Sequence, residues 1–274
     1  MKKNNNKKLA KFICIALAIP IVLAGATYLL QKGFAHKDGY FIPDYERVTL
    51  TEKTDYLTLF EQTGLGRSAV EKLKNQGEFE KVSLYQECLF NPPETSCNNM
   101  LSILTMEERM VDDFVEFVDL QPGDILLSLS THSFGWRHGH AGLVIDEERV
   151  LESEVVGTTS KINALYHFTT YGNFAQLRLK NITPEKQKEI AEFCKTKLTD
   201  IPYGLTAGFF GDKAPDLDSK NLRVQCSYLV WYAYNYFGYD LDSDGGRLVS
   251  TYDILHSDEL EVVQIFGMNP KEFV

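Results

Sequence analysis

The sequence predicts a mixed α+β protein in which helices come first, strands next and helices again at the end. Three observations carry this prediction. Residues 39–115 contain short helical patterns, residues 119–179 contain apolar runs of strand length separated by turns, and two later segments place apolar residues on one helical face. We therefore divide the chain into an amino-terminal segment (1–35), an accessory segment (36–117) and a main domain (118–274).

The first 35 residues are expected to form a signal anchor or a cleaved signal peptide. Lysines precede an apolar run from Phe12 to Leu30 that holds no charged residue. A run of about 18 or more apolar residues with positive flanking charge is typical of a membrane span. Ala24-Gly25-Ala26 also has the form of a cleavage site. Either alternative places the rest of the chain outside the cytoplasm, on the outer face of the cell membrane or secreted.

The accessory segment is predicted to be mainly helical. The stretch TEKTDYLTLFEQTGLGRSAVEKLKNQ indicates two short helices interrupted at residues 63–66, and TMEERMVDDFVEFV indicates a third helix. The first stretch is too apolar for a solvated linker. We therefore expect the accessory segment to pack against the main domain.

The main domain begins with predicted strands and continues with predicted helices. Apolar runs bounded by turns favour strands at 124–129, 141–145, 150–155 and 174–179. Thr183 and Pro184 are typical of the N-cap and first residue of a helix. The segment CSYLVWYAYNYFG, which begins at Cys226, has one apolar helical face, and Gly238 is placed to end that helix.

The net charge argues against a nucleic-acid partner. The chain carries 28 basic and 38 acidic side chains, and residues 1–38 hold seven of the lysines and one aspartate. The remaining chain therefore has a net charge of −16. A surface of this sign repels nucleic-acid phosphates.

The five cysteines do not form an even disulfide framework. Cys88 and Cys97 enclose a short turn-rich loop, and outside the cytoplasm such a pair could form a disulfide or stay reduced. Cys194 falls on the apolar face of its helix, where a buried, inert thiol is expected. Cys226 remains as the cysteine with a chemical role to consider.

Cys226 is predicted to occupy the first turn of a helix. Backbone N–H groups and the helix dipole there stabilise a thiolate, and the same N–H groups can receive the charge that develops on an attacked carbonyl oxygen. The structural alternative is that Cys226 is the first core residue of an apolar face. A nucleophile also needs a base, and the base needs an orienting partner.

His140 opens the predicted strand HAGLVID and is the candidate base. Glu152 and Glu154 lie on the next predicted strand, where inward carboxylates need partners. His138 and His132 precede His140, and His138 is also consistent with a solvated loop residue. Glutamate, histidine and cysteine together make a generalised catalytic triad.

Four motifs in order carry a family resemblance. The segments PGDILLS, GHAGLVID with VLESE, IPYG and CSYLVWYAY resemble the YiiX-like branch of the NlpC-type papain-like cysteine hydrolases. The resemblance covers about residues 119–266, and lecithin retinol acyltransferases are similar in arrangement. It implies a circularly permuted papain-like α+β fold, in which a small antiparallel sheet that carries the histidine packs on the cysteine-bearing helix.

The resemblance also implies roles for individual residues. Cys226 would be the nucleophile, His140 the general base and Glu152 the third catalytic residue. The remaining candidates for substrate or oxyanion contacts are Tyr203, Glu154, His138 and Ser227. The implied enzyme is a thiol protease, amidase or acyl hydrolase that needs no cofactor and acts on a cell-wall peptide or on a lipid or lipoprotein.

Strand register decides between the two glutamates. Side chains alternate between the faces of a strand, so Glu152 and Glu154 share one face. An odd turn between the strands is needed to bring that face to His140. A turn centred on Asp146 places His140 opposite Glu152, a turn centred on Glu147 places it opposite Glu154, and the twelve-residue interval in the family favours Glu152.

Two other functions are consistent with the sequence. His132, His138, His140, Glu152 and Cys226 include zinc-ligand types, although neither an H-E-x-x-H motif nor a paired C-x-x-C motif occurs. The chain could also be a catalytically silent, membrane-anchored binding module that uses the accessory segment as its partner surface. Thiol alkylation and chelator sensitivity would separate the three alternatives.

Overall fold

The protein has a mixed α+β structure with antiparallel sheets. The computed structural model describes residues 40–102, 105–133 and 136–274, together with residues 18, 19, 22, 25 and 26. The larger sheet has six strands. In spatial order they are β7 (Lys161–Ala164), β6 (Arg149–Glu152), β5 (His140–Val144), β3 (Ile125–Ser128), β8 (Phe174–Leu179) and β9 (Leu260–Phe266). The strands predicted at 124–129, 141–145 and 174–179 are confirmed, whereas the one predicted at 150–155 ends at Glu152 and leaves Glu154 outside it. Strands β7 and β9 were not predicted.

A second, three-stranded sheet corrects the prediction of a helix in TMEERMVDDFVEFV. Its order is β1 (Thr95–Ser102), β2 (Thr105–Met110) and β4 (Thr131–His132). In β2, Glu107 and Glu108 are buried and form ion pairs with Arg109 and Arg137. The charged residues of this predicted helix are therefore interior partners within a sheet.

The helices begin and end largely where capping residues predict. Their bounds are α1 (Tyr56–Thr63), α2 (Arg67–Gln76), α3 (Val82–Phe90), α4 (Tyr166–Thr169), α5 (Pro184–Lys197), α6 (Cys226–Tyr236) and α7 (Thr251–Leu255), with 3₁₀ turns at Phe79–Lys81 and Pro270–Glu272. Thr183 caps α5. α6 ends at Tyr236 with Phe237 as its C-cap, and Gly238 follows with a φ of 88°, which a glycine adopts without strain.

The main core lies between the larger sheet and helices α5 and α6. Leu127, Ala141 and Leu143 on the sheet share one buried cluster with Leu229 and Val230 on α6. The side chain of Cys194 on α5 is part of the same cluster, and the prediction of a buried thiol there is confirmed. This packing fixes the first turn of α6 against the first residues of β5.

The accessory segment packs against strand β9. Leu65 pairs with Gln264, and the backbone N–H of Gly66 donates to the carbonyl of Val263 at 2.8 Å. Val70 and Val263 belong to one buried cluster. Of the predicted helices in this segment, α1 and α2 are confirmed, with the break at residues 64–66 between them.

Of the two alternatives left open for Cys88 and Cys97, the structure shows the reduced one, with no disulfide between them. Cys97 lies on β1, and its Sγ is 3.7 Å from Nε2 of His132. Cys88 lies on α3 and packs against the buried cluster that contains Phe174 and Phe266. Each cysteine is therefore held by a different set of neighbours.

The prediction of a transmembrane helix is corrected. Within the described part of the chain, no helix is long and apolar enough to cross a membrane. The predicted span, residues 12–30, lies outside the described residues apart from positions 18, 19, 22, 25 and 26.

Candidate active site

Cys226 is the first residue of helix α6. Gln225 has an extended backbone, and its side-chain oxygen accepts a hydrogen bond from the backbone N–H of Ser227 at 3.1 Å, which caps the helix. The half-buried Cys226 places its Sγ 3.4 Å from the same oxygen. Cys226 thus combines partial exposure with a helix N-terminus, as a reactive thiol requires.

The carbonyl of Val249 holds the capping residues in place. It accepts hydrogen bonds from Nε2 of Gln225 at 2.9 Å and from the hydroxyl of Ser227 at 2.8 Å. The side chain of Ser227 is therefore buried and engaged with Val249. A contact of Ser227 with the substrate or the oxyanion stays a prediction.

His140 connects Cys226 to a buried carboxylate. Its Nε2 lies 2.6 Å from Oε2 of Glu152. The ring also lies close enough to Cys226 for each group to shift the pKa of the other, and because Nε2 is taken by Glu152, Nδ1 is the nitrogen available to the thiol. The three predicted catalytic residues are brought together in the order cysteine, histidine, glutamate.

The surroundings of Cys226 and His140 favour the charged form of both side chains. Burial raises the pKa of the Cys226 thiol, but the hydrogen bond and charge of His140, with the backbone N–H groups of Ala141 and Ser227, bring it below its ordinary value. Burial lowers the pKa of His140, but its contacts with Cys226 and Glu152 raise it well above its ordinary value. A thiolate facing an imidazolium is the state that these shifts favour.

The register between β5 and β6 differs from the one predicted. Gly142 is directly opposite Glu152, and Val144 is opposite Val150, so the turn is centred on Glu147 rather than on Asp146. His140 and Glu152 are diagonal neighbours on one face of the sheet, a separation that long side chains can bridge. The expected odd turn is present, but the assumed directly opposite pairing was wrong.

Glu154 lies outside this hydrogen-bonded group. Its carboxylate forms an ion pair with Nζ of Lys161 at 2.6 Å. The two glutamates, which the sequence could not fully separate, therefore have different partners.

Two residues that the sequence analysis missed complete the surroundings of Glu152. Nδ2 of Asn163 donates to Oε1 at 2.6 Å, and Nε2 of His167 lies 3.1 Å from Oε2. The side chain of Glu152 is fully buried. Burial raises its pKa, but the hydrogen bonds and charges of His140 and His167 bring it well below the ordinary value.

Both ring nitrogens of His167 face oxygen atoms. Its Nδ1 lies 2.7 Å from the carbonyl of Ala164, and a carbonyl can only accept. A neutral ring that donates there would turn the lone pair of Nε2 toward the Glu152 carboxylate, which is unfavourable. A cation between Nε2 and the carboxylate would satisfy this contact.

Phe168 and Gly142 shape the space around the imidazole. The ring of Phe168 stacks on that of His140, with centroids 5.6 Å apart and planes 18° apart. A Cβ added to Gly142 would lie 2.6 Å from Cγ2 of Val150 and 3.3 Å from Cε2 of Phe168. A glycine at this position keeps the diagonal path from His140 to Glu152 open.

The other predicted site residues have distinct positions. Tyr203 pairs with Val224 through a backbone bridge, and burial, followed by the charge of Cys226, raises the pKa of its hydroxyl. His138 is hydrogen-bonded to Ser133 and to the carbonyl of Gly139. Tyr203 is therefore close to the thiol, whereas His138 lies on the adjoining loop.

One group of metal-ligand types coincides with the triad. The nearest ligand atoms of His140, Glu152 and His167 lie within 4.8 Å of one another. His132 is elsewhere, on β4, with its Nε2 3.7 Å from Glu108. The zinc set considered from the sequence is thus replaced by a smaller set that includes His167.

Comparisons with known proteins give one structural neighbour. No protein-family model matches the chain, and no curated protein matches it. A crystal structure of the metalloprotein yiiX from Escherichia coli O157:H7, DUF1105, is similar with 18% sequence identity and a TM-score of 0.39. The match covers 52% of this chain and 96% of that chain. That neighbour is described as a metalloprotein, whereas the sequence analysis expected a thiol protease.

Proposed function

We propose that this protein is a cysteine-dependent hydrolase that cleaves an amide or ester bond through an acyl-enzyme. The observation that carries the proposal is the close grouping of Cys226 with the hydrogen-bonded pair of His140 and Glu152 at the N-terminus of a helix. The chain order of histidine, glutamate and cysteine is consistent with a circularly permuted papain-like fold, which we propose on the same grounds.

The first half of the reaction would transfer the acyl group to the protein. The Cys226 thiolate attacks the substrate carbonyl carbon, a C–S bond forms, and the carbonyl electron pair moves to oxygen. When the tetrahedral intermediate collapses, the bond to the leaving nitrogen or oxygen breaks. Nδ1–H of the His140 imidazolium supplies the proton that the leaving group needs.

The second half of the reaction would release the carboxylic acid product and regenerate the Cys226 thiolate and the His140 imidazolium. Nδ1 of His140 takes a proton from water, and the resulting hydroxide adds to the thioester carbonyl. The C–S bond then breaks, and the thiolate leaves with its electron pair. Glu152 keeps the ring oriented through Nε2 and stabilises the imidazolium throughout.

Two groups are placed to stabilise the oxyanion. The backbone N–H groups of the first turn of α6 have no intrahelical acceptors, and apart from that of Ser227, which donates to the Gln225 side chain, they are open to the oxyanion. Tyr203 keeps its proton because its pKa is raised, so its hydroxyl is available as a donor. We assign the backbone donors as the oxyanion site and Tyr203 as an auxiliary donor.

Product analysis tests the proposal. The full chain and a Cys226→Ala variant would be incubated with muropeptides, lipid amides and lipid esters, and products would be identified by mass spectrometry. We expect cleavage of one class by the native protein, a thioester adduct on Cys226 after acid quenching, and neither in the variant. Cleavage that persists in Cys226→Ala would contradict a cysteine-dependent reaction.

A zinc-dependent hydrolase is the second candidate function. The cluster of His140, Glu152 and His167, and the Nε2 atom of His167 directed at a carboxylate, favour it. These residues would be the metal ligands, and the metal would act as a Lewis acid. Loss of activity on treatment with a chelator, restored by zinc and insensitive to iodoacetamide, would select this candidate over the first.

A further inference from the structure

The loop after helix α6 has the spacing of a calcium-binding loop. Asp240, Asp242 and Asp244 alternate with other residues and are followed by Gly245. EF-hand loops begin with carboxylate ligands at positions 1, 3 and 5, a glycine at position 6 and a backbone carbonyl ligand at position 7. Gly245 has a φ of 65°, the conformation that allows the sharp turn at this point.

The fold brings a further carboxylate to this loop. The nearest carboxylate oxygens of Asp242, Asp244 and Asp253 lie within 4.8 Å of one another. Asp253 is in the first turn of α7, where its Oδ2 accepts from the backbone N–H and hydroxyl of Ser250, both at 2.6 Å. Oδ1 of Asp244 accepts from the N–H of Gly246 at 2.6 Å. These bonds orient both carboxylates and use one oxygen of each.

Asp242 has a buried carboxylate oxygen that receives no hydrogen bond. Its side chain is fully buried, and its Oδ1 has no hydrogen-bond partner. The carboxylates beside it donate no hydrogen bond when they are ionised. A buried carboxylate oxygen without a donor is costly, and a cation at this oxygen would remove the cost.

The one neighbouring ammonium group does not balance the negative charge of the three carboxylates. The Lys213 ammonium forms an ion pair with Oδ2 of Asp242 and donates to the carbonyl of Gly246 at 2.6 Å. Lys213 therefore already contacts the residues equivalent to positions 3 and 7 of the loop. One ammonium against three carboxylates leaves an excess of two negative charges.

We propose that Asp242, Asp244 and Asp253 bind one calcium ion beside Lys213. The donor set consists of oxygen atoms, which favours a hard cation over zinc. In an EF-hand loop the twelfth residue is a glutamate ligand, and here that position is Thr251. Asp253, on α7, would supply a carboxylate in its place. With three carboxylates and an adjacent ammonium, we expect a dissociation constant of about 10⁻⁴ to 10⁻³ M, the range of weaker calcium sites. This proposal does not depend on the proposed function.

The calcium ion would stabilise the loop that holds the N-terminus of α6 in place. The loop leads from Asp244 to Val249, whose carbonyl holds Gln225 and Ser227. The cation would join the start of this loop to α7. We therefore expect calcium to raise the thermal stability of the full chain.

Terbium luminescence provides the test. Terbium replaces calcium at oxygen sites and is sensitised by a nearby indole, and Trp231 donates to Oδ1 of Asp240 at 2.8 Å. We expect saturable luminescence from the full chain that calcium displaces, and calcium should raise the melting temperature. Asp244→Asn and Asp242→Asn should each weaken terbium binding at least tenfold and abolish the calcium-dependent thermal shift.

Asp218→Asn is the matched control, because Asp218 is exposed and outside the cluster. It should leave terbium binding and the thermal shift unchanged, and circular dichroism would check that all variants fold. Absence of luminescence at millimolar terbium would overturn the proposal. So would equal binding by the native protein and both folded cluster variants, or luminescence that calcium does not displace.

Discussion

His140 and Glu152 are joined by a 2.6 Å hydrogen bond although they are not opposite each other in the β5–β6 pair. The residue opposite Glu152 is Gly142, which has no side chain to block the diagonal. The carboxylate therefore reaches across one residue pair to orient the imidazole. Strand β6 ends at Glu152, so Glu154, two residues further along, is outside the register that would place it opposite His140, and it forms an ion pair with Lys161.

Replacing Glu152 by glutamine should lower the reactivity of the Cys226 thiol, whereas replacing Glu154 by glutamine should not. Glu152→Gln removes the charge that raises the pKa of His140, so less thiolate–imidazolium pair is present. We expect turnover to fall by about 10²-fold, within the usual range for a general acid–base group. Glu154→Gln is the control and should stay within about twofold of native activity, since exposed or half-exposed ion pairs contribute little. A larger loss in Glu154→Gln would contradict the assignment.

The sequence predicts the triad better than it predicts its surroundings. Cys226, His140 and Glu152 are marked by local patterns, namely a helix start and two strand positions. His167 and Asn163 are brought to Glu152 by strand β7 and helix α4, whose approach depends on contacts distant in sequence. The segment around Glu107 was misread for the same reason, because only its pairing with β1 and β4 makes it a strand.

Cys226 should be the thiol that reacts fastest with iodoacetamide. Its pKa is lowered by its contacts with His140, whereas burial raises the pKa of Cys194. Mass spectrometry after brief alkylation should find the label on Cys226, and Cys226→Ala should lose it while keeping native circular dichroism. Cys194→Ala is the control and should label as the native protein does. Rapid labelling that survives in Cys226→Ala would refute the assignment.

The alkylation rate should depend on pH through Cys226 and His140. The thiolate reacts and the thiol does not, so the rate rises with pH through the pKa of Cys226. Because that pKa lies below the ordinary thiol value, the rise should occur at lower pH than for a free cysteine peptide. In His140→Ala the rise should move to higher pH, because the group that lowers the pKa is absent. Identical profiles for the native protein and His140→Ala would exclude a charge-separated pair.

Gly142→Ala should destabilise the sheet and disturb the triad together. The added Cβ would lie 2.6 Å from Cγ2 of Val150, so strands β5 and β6 must shift. We expect the free energy of unfolding to fall by about 1–3 kcal/mol, as for overpacked cores, with slower alkylation of Cys226. Val150→Ala in the same chain should recover part of the stability in urea unfolding. If the double variant is no more stable than Gly142→Ala, the clash is not with Val150.

Gly66 should be essential for docking of the accessory segment on strand β9. Its backbone torsions suit any residue, but an added Cβ would lie 2.0 Å from the carbonyl oxygen of Val262, a backbone atom that cannot move alone. Gly66→Ala should therefore loosen residues 56–90 and expose them to limited proteolysis, with the main domain cut later. Gly77→Ala is the control, because a Cβ there meets no atom within 4 Å, and its φ of 70° adds only local strain. Cleavage of Gly77→Ala as early as Gly66→Ala would show that helix strain, rather than contact with β9, holds the segment in place.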